Sequence, residues 1–151
     1  MASKVFLIVL LLGFGNSLAQ ITYVCPGIKM GYMFGEKGGF VFGVELSVIN
    51  LNNESPASWG CLLDFDIIHN VKRFHLGIEG IAYIVGLDIG PTFVFEKGES
   101  YTGLSIIPFG GLILVPYYNY TDLFKNASYS EIGSYLKIPI QASRRGLFTD
   151  D

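Results

Sequence analysis

The run from His75 to Glu96, HLGIEGIAYIVGLDIGPTFVFE, decides the fold. With side chains alternating as on an extended strand, His75, Gly77, Glu79, Ile81 and Tyr83 share one face, and Leu76, Ile78, Gly80, Ala82 and Ile84 share the other. The pattern then repeats. Asp88, Gly90, Thr92, Val94 and Glu96 oppose Leu87, Ile89, Pro91, Phe93 and Phe95, an unbroken apolar row. Val85-Gly86 between the two runs reads as a two-residue turn, so the stretch predicts an antiparallel hairpin with one mixed polar face and one apolar face.

Runs on either side follow the same rule. Ile28, Met30, Tyr32 and Phe34 oppose Lys29, Gly31 and Met33; Phe40, Phe42, Val44, Leu46 and Val48 oppose Val41, Gly43, Glu45, Ser47 and Ile49. Cys61, Leu63, Phe65 and Ile67 oppose Leu62, Asp64, Asp66 and Ile68, and Ile132, Ser134, Leu136, Ile138 and Ile140 oppose Glu131, Gly133, Tyr135 and Lys137. Turn chemistry divides these runs at Glu36 to Gly39, Asn50 to Ser58, His69 to Arg73, Val85-Gly86, Lys97 to Ser100, Pro108 to Gly111 and Tyr120 to Ser128, which gives about eight strands. Helix-period patterning is nearly absent, and the fold class expected is all-β.

Which face meets solvent follows from composition. Half of the 151 residues are hydrophobic and only 15% are charged, and mean hydropathy is +0.45, too apolar for a water-soluble exterior. A soluble barrel or sandwich of lipocalin type turns its apolar rows inward and its charges outward. Here the charges are too few to solvate an exterior, while the apolar rows are almost free of them. The opposite orientation fits: Lys29, Glu45, Asp64, Asp66, His75, Glu79, Asp88, Glu96, Glu131 and Lys137 inward as a polar interior, and the apolar rows facing acyl chains. Tyr32, Phe34, Phe40, Phe42, Phe65, Phe74, Phe93, Phe95 and Tyr101 fall near the same ends of successive hairpins, as an interfacial girdle does.

Residues 1–19 read as a cleavable export signal, with Lys4, the apolar run Val5 to Leu12, and Ser17-Leu18-Ala19 as the cleavage site. After Ala19 no run approaches the roughly 20 apolar residues a spanning helix needs, so a membrane location requires a closed barrel. The expected organisation is a signal at 1–19, a barrel over 20–143 and a polar tail over 144–151. The net charge of -3 supplies no basic footprint for nucleic acid.

Over residues 24 to 141 the chain resembles the small outer-membrane barrels of the OmpA/OmpX type and the broader outer-membrane β-barrel domain group. The most specific element is Glu131-Ile-Gly133-Ser-Tyr-Leu136-Lys-Ile138, which looks like a last-strand signal with Gly133, Leu136 and Ile138 at its key positions. The resemblance implies an eight-stranded antiparallel up-and-down transmembrane barrel in a bacterial outer membrane, with both chain ends in the periplasm. It further implies recognition by the barrel assembly machinery and outer-membrane lipid as surroundings. The chain departs from the pattern by continuing through Arg144, Arg145 and Phe148 to Asp151.

An interior of eight strands is just wide enough for side chains to fill, so the expectation is a plugged, non-channel core with a structural or surface-interaction role and an unknown loop-side partner. Seven inward carboxylates against two lysines and one histidine leave an acidic surplus, which protonation of some carboxylates, a cation inside or solvent near strand ends would relieve, solvent being the favoured expectation. Two other readings stand beside this one: a secreted lipocalin-like barrel binding an apolar ligand, and an outer-membrane enzyme using Asp66, His75 and Glu96. No nucleophile spacing, Cys/His metal spacing or phosphate loop supports catalysis, and neither cofactor nor metal is expected. Cys25 has inward parity and Cys61 outward parity, which argues against a bridge. Asn53, Asn119 and Asn126 begin glycosylation acceptor triplets, meaningful only in a eukaryotic secreted chain.

Overall fold

Among the described residues, β-branched and aromatic residues in alternating rows form nine strand segments: β1 (Gln20–Phe34), β2 (Gly39–Asn52), β3 (Ala57–Ile68), β4 (Val71–Ala82), β5 (Val85–Glu96), β6 (Glu99–Gly110), β7 (Leu114–Leu123), β8 (Tyr129–Lys137) and β9 (Ile140–Arg144). The computed structural model describes residues 20–35, 38–52, 56–124 and 128–144. The expected signal at 1–19, Asn53, Asn126 and residues 145–151 of the expected tail lie outside the described residues. Each segment from β1 to β8 pairs antiparallel with the next, and β8 pairs back with β1, so the sheet closes. β9 continues the path of β8 along β1 after Ile138 and Pro139, with a register shift between Thr22 and Tyr23. The wall is therefore an all-β, eight-stranded, up-and-down antiparallel barrel.

Its stagger can be counted. From Val24, directly paired residues run through Val48, Cys61, Ile78, Ile89, Ile106, Tyr120 and Ser130 and return to β1 at Phe34, ten residues further on. A shear of that size on eight strands tilts them by about 40° to the barrel axis. At that tilt the twelve-residue strands β3 to β6 rise about 30 Å.

Prolines occur in this closed wall because each opens the ladder on one side only. Pro91 is paired with Leu104 on β6, while the β4 to β5 pairing passes from His75 and Thr92 to Ile78 and Ile89 without it. Pro108 is paired with Leu87, and the β6 to β7 pairing passes from Ile106 and Tyr120 to Phe109 and Tyr117.

Several expected turns move. The β4 to β5 turn is Tyr83-Ile84, with Tyr83 at φ 58°, and not Val85-Gly86. Glu79 consequently faces Asp88 and His75 faces Thr92, whereas a turn at Val85-Gly86 sets Tyr83 against Asp88 and His75 against Glu96. The β3 to β4 turn is His69-Asn70, so Arg73 lies within β4 and pairs with Asp66. Pro108 lies inside β6, and the turn follows it at Gly111 to Ile113. Tyr120 to Leu123 are strand, not loop.

The rows take the orientation that composition requires. Leu87, Ile89 and Phe95 are 43%, 42% and 49% exposed, while Glu79 and Asp88 on the opposite parity are 0% and 1% exposed. The first end of the barrel carries the β1–β2, β3–β4, β5–β6 and β7–β8 connections. The second end carries residue 20, residue 144 and the remaining turns.

Candidate functional site

Below the first end, Met33, Val41, Ile68, Val71, Val94 and Leu123 pack together inside the wall, with Tyr101 and Tyr129 against them. A second apolar group, Ile107, Val115, Tyr117 and Tyr135 with Phe109, lines the β6 to β8 wall toward the second end. Between and beside them lies a buried polar lattice. Among the described residues six carboxylates, Glu45, Asp64, Asp66, Glu79, Asp88 and Glu131, are buried with Lys29, Arg73, Lys137 and His75.

Lys29 and Arg73 organise the middle of the lattice. Lys29 Nζ lies 2.6 Å from Asp64 Oδ2, 3.0 Å from Asp66 Oδ2 and 3.5 Å from Glu131 Oε1. Arg73 donates through Nε to Asp66 Oδ2 at 2.8 Å, again through Nη2 to the same oxygen, and through Nη2 to Glu131 Oε2 at 2.6 Å. Tyr117 donates its hydroxyl to Glu131, and Tyr135 donates to Asp64 Oδ2 at 3.4 Å. The ammonium of Lys29 sits 4.9 Å from the Tyr117 ring centre and 5.3 Å from that of Tyr135, so each ring face adds to the stabilisation of the buried cation. Tyr117 fits because Gly31 and Gly133 are direct partners: a Cβ at Gly31 would lie 2.6 Å from its hydroxyl, and one at Gly133 2.5 Å.

Many of these contacts join strands that are not neighbours. β4 and β8 stand on opposite sides of the barrel, and Arg73 to Glu131 bridges them. Lys137 Nζ, paired with Glu45 on β2, also lies 3.8 Å from Glu79 Oε2 on β4.

A third group is a hydrogen-bonded row across four strands. His75 Nε2 is 2.7 Å from Asp88 Oδ2, and His75 Nδ1 is 2.8 Å from Thr92 Oγ1. Thr92 continues to Ser105 at 2.5 Å, and Ser105 to Thr121 at 2.6 Å; Thr121 donates to Asn119 Oδ1 at 3.1 Å. Each hydroxyl has one proton to give. Donation from Thr121 to Asn119 therefore has Ser105 donating to Thr121, Thr92 to Ser105 and His75 Nδ1 to Thr92.

Of the ten interior positions inferred from parity, Lys29, Glu45, Asp64, Asp66, His75, Glu79, Asp88, Glu131 and Lys137 are buried, and Glu96 is half-buried near the first end. Relief of the acidic surplus by solvent at strand ends is thus confined to Glu96, and Arg73 supplies a cation that the misplaced turn had hidden. Asp66 and His75 bind different partners, and Glu96 is the direct partner of Val71. Ser105, Tyr117, Asn119 and Thr121 were also missed. Strict alternation from Val115 to Leu123 marks the last three, although Pro116 and the triplet at Asn119 resemble loop chemistry. Tyr83, which shares the parity of the inward His75, is in a turn and exposed; the space at Gly77 is taken by the Asp88 carboxylate. Gly133 faces inward against Gly31, while Leu136 and Ile138 are exposed. Cys25 and Cys61 are free thiols, the first buried inside the wall.

No protein-family model matches the chain, and no curated protein matches it. Among solved structures, the crystal structure of Neisserial surface protein A (NspA) is similar at 12% identity and a TM-score of 0.48, covering 78% of this chain and 96% of that one. The strand register and burial described above stand independently of that likeness.

Proposed function

We propose that this chain is a small bacterial outer-membrane barrel of the OmpA/OmpX type with a structural or surface-interaction role. In this reading residues 1–19 direct export, Gly133, Leu136 and Ile138 serve recognition by the barrel assembly machinery, and outer-membrane lipid surrounds the wall. One observation carries it. Between Lys72 and Asp122 near the first end and the turns at the second, the outward rows among the described residues hold no charged side chain, whereas the lattice inside is charged. A continuous apolar belt far exceeds the few hundred Å² that water-soluble monomers expose. A lipid-facing Arg or Lys at mid-bilayer costs about 2 to 4 kcal/mol, so acyl chains select against outward charge.

The interior supports a plugged, non-conducting barrel: ion pairs cross the lumen, and an apolar cluster lies beneath the first end. The Asp88, His75 and Thr92 alignment supports a structural role over an enzymatic one. His75 engages both ring nitrogens, and Thr92 is already bonded to Ser105. The lipocalin-like alternative needs the apolar rows to line a cavity, and no observation favours it.

The test is cellular fractionation with a heat-modifiability gel, followed by planar-bilayer recording. The expected result is membrane localisation, a mobility change on boiling and no steady conductance. Recovery in the soluble fraction without detergent, with unchanged mobility, would overturn the membrane reading; a steady conductance would overturn the plugged interior.

A further inference from the structure

The two ends of the barrel differ in a way that the membrane reading alone does not require. At the first end the His69-Asn70 and Lys97-Gly98 turns are polar, with Lys72, Glu99 and Asp122 close by, and Phe40 and Phe124 are exposed apolar residues beside its other two connections. At the second end two described turns, Tyr83-Ile84 and Gly111 to Ile113, are apolar. Tyr83 is 78% exposed and Leu112 70%, and Ile84, Ile113 and Leu114 beside them are also exposed. Water is a poor solvent for such turns, and most turn sequences are polar for that reason.

The backbone at this end is tied in a matching way. Tyr83 N donates to Pro56 O at 3.2 Å, Gly111 N to Ile84 O at 2.7 Å and Lys137 N to Ile113 O at 2.8 Å, while Ile138 N donates to Pro26 O at 3.0 Å. These bonds link the β2–β3 connection, the two apolar turns, the end of β8 and β1 in order along the rim. Among the described residues, the first end has Gly38 N to Gly35 O within one turn and Phe124 N to Thr102 O between strands. Hydrocarbon tolerates backbone only where its polar groups find partners within the protein. Apolar side chains and a stitched backbone together meet the conditions for immersion.

We infer that the second-end rim formed by Tyr83-Ile84 and Leu112 to Leu114 is embedded in the acyl region of the adjoining leaflet and does not project into water. The inference rests on the membrane reading proposed above. Its occupant is lipid because the rim is continuous with the outward apolar rows: Leu87 follows the first turn and Leu114 opens β7, with no charged outward residue between rim and belt.

Trp59 is the one tryptophan, so single-tryptophan variants report depth directly. In a Trp59→Phe background, Tyr83→Trp and Leu112→Trp probe the rim, Ile78→Trp the belt and Asn70→Trp the first-end turn. Each is folded into phosphatidylcholine vesicles and quenched by acrylamide in the water or by brominated acyl chains. The rim positions are expected to match Ile78→Trp, quenched by bromine and at least several-fold less accessible to acrylamide than Asn70→Trp. Rim positions as open to acrylamide as Asn70→Trp, with Ile78→Trp still shielded, would overturn the inference and leave the membrane reading standing. Shielding of the rim from both quenchers would mean that protein covers it and would also overturn it. Acrylamide access at Ile78→Trp would overturn the membrane reading and the inference together. Two rim sites on different turns keep the result readable if one variant folds poorly.

Discussion

Glu79 on β4 is the direct partner of Asp88 on β5, two buried carboxylates side by side on the inner wall. Asp88 is held by His75, but Glu79 has Lys137 only at 3.8 Å, beyond hydrogen-bond reach. Like charges directly opposed on neighbouring strands destabilise by a few tenths to about 1 kcal/mol. Glu79→Gln removes that repulsion and is expected to raise stability by about 0.5 to 1 kcal/mol in urea titration of the vesicle-folded barrel. Lys137→Met leaves Glu45 buried without its partner and is expected to lower stability by about 3 to 5 kcal/mol. A destabilised Glu79→Gln would mean that Lys137 depends on both carboxylates.

Close strand packing sets a second expectation. A Cβ at Gly90 would run into the Leu76 carbonyl, which is backbone and cannot rotate away, whereas nothing lies within 4 Å of a Cβ at Gly80. Gly90→Ala should cost about 1 to 3 kcal/mol, and Gly80→Ala should be neutral. The fraction of heat-modifiable protein after refolding separates them; equal yields would contradict the wall geometry.

Depth dependence tests the outer face. Ile89 sits mid-length on β5 between Ile78 and Ile106, while Phe95 lies next to the first-end turn. Ile89→Arg is expected to cost about 2 to 4 kcal/mol in vesicles and Phe95→Arg about 0 to 1 kcal/mol. Equal, small costs at both positions would point to an aqueous exterior.

Thiol chemistry gives a simpler check. Mass spectrometry after alkylation in denaturant without reductant should find both Cys25 and Cys61 modified. In the folded barrel a charged maleimide should spare Cys25, which the wall encloses. A mass two hydrogens lower, with no alkylation, would mean a bridge.

Much of this wall can be read from the chain because a period of two is unambiguous over ten residues. Faces and nine buried lattice members follow from it. Register is less accessible. Parity is blind to a two-residue shift, and the turns are not where small residues advertise them: Tyr83 takes positive φ while Gly86 sits in a strand. That shift alone separates a His75 facing Glu96 from a His75 facing Thr92. Arg73 shows the same limit, since its parity with His75 places it inside as soon as the preceding turn shrinks to His69-Asn70. Contacts across the lumen leave no trace in local sequence, because strands on opposite sides meet only after closure.

Those opposed contacts have a mechanical consequence. A thin tube squeezed from the side flattens by bending its wall, which in a β-sheet strains the inter-strand ladder. Arg73 and Glu131 act as a tie rod across the diameter, and Lys137, reaching from β8 toward Glu79 on β4, lies along a second diameter nearer the other end. Lateral pressure would load these ties before it distorts the sheet, so a round cross-section is maintained by the charges inside the tube as well as by its wall.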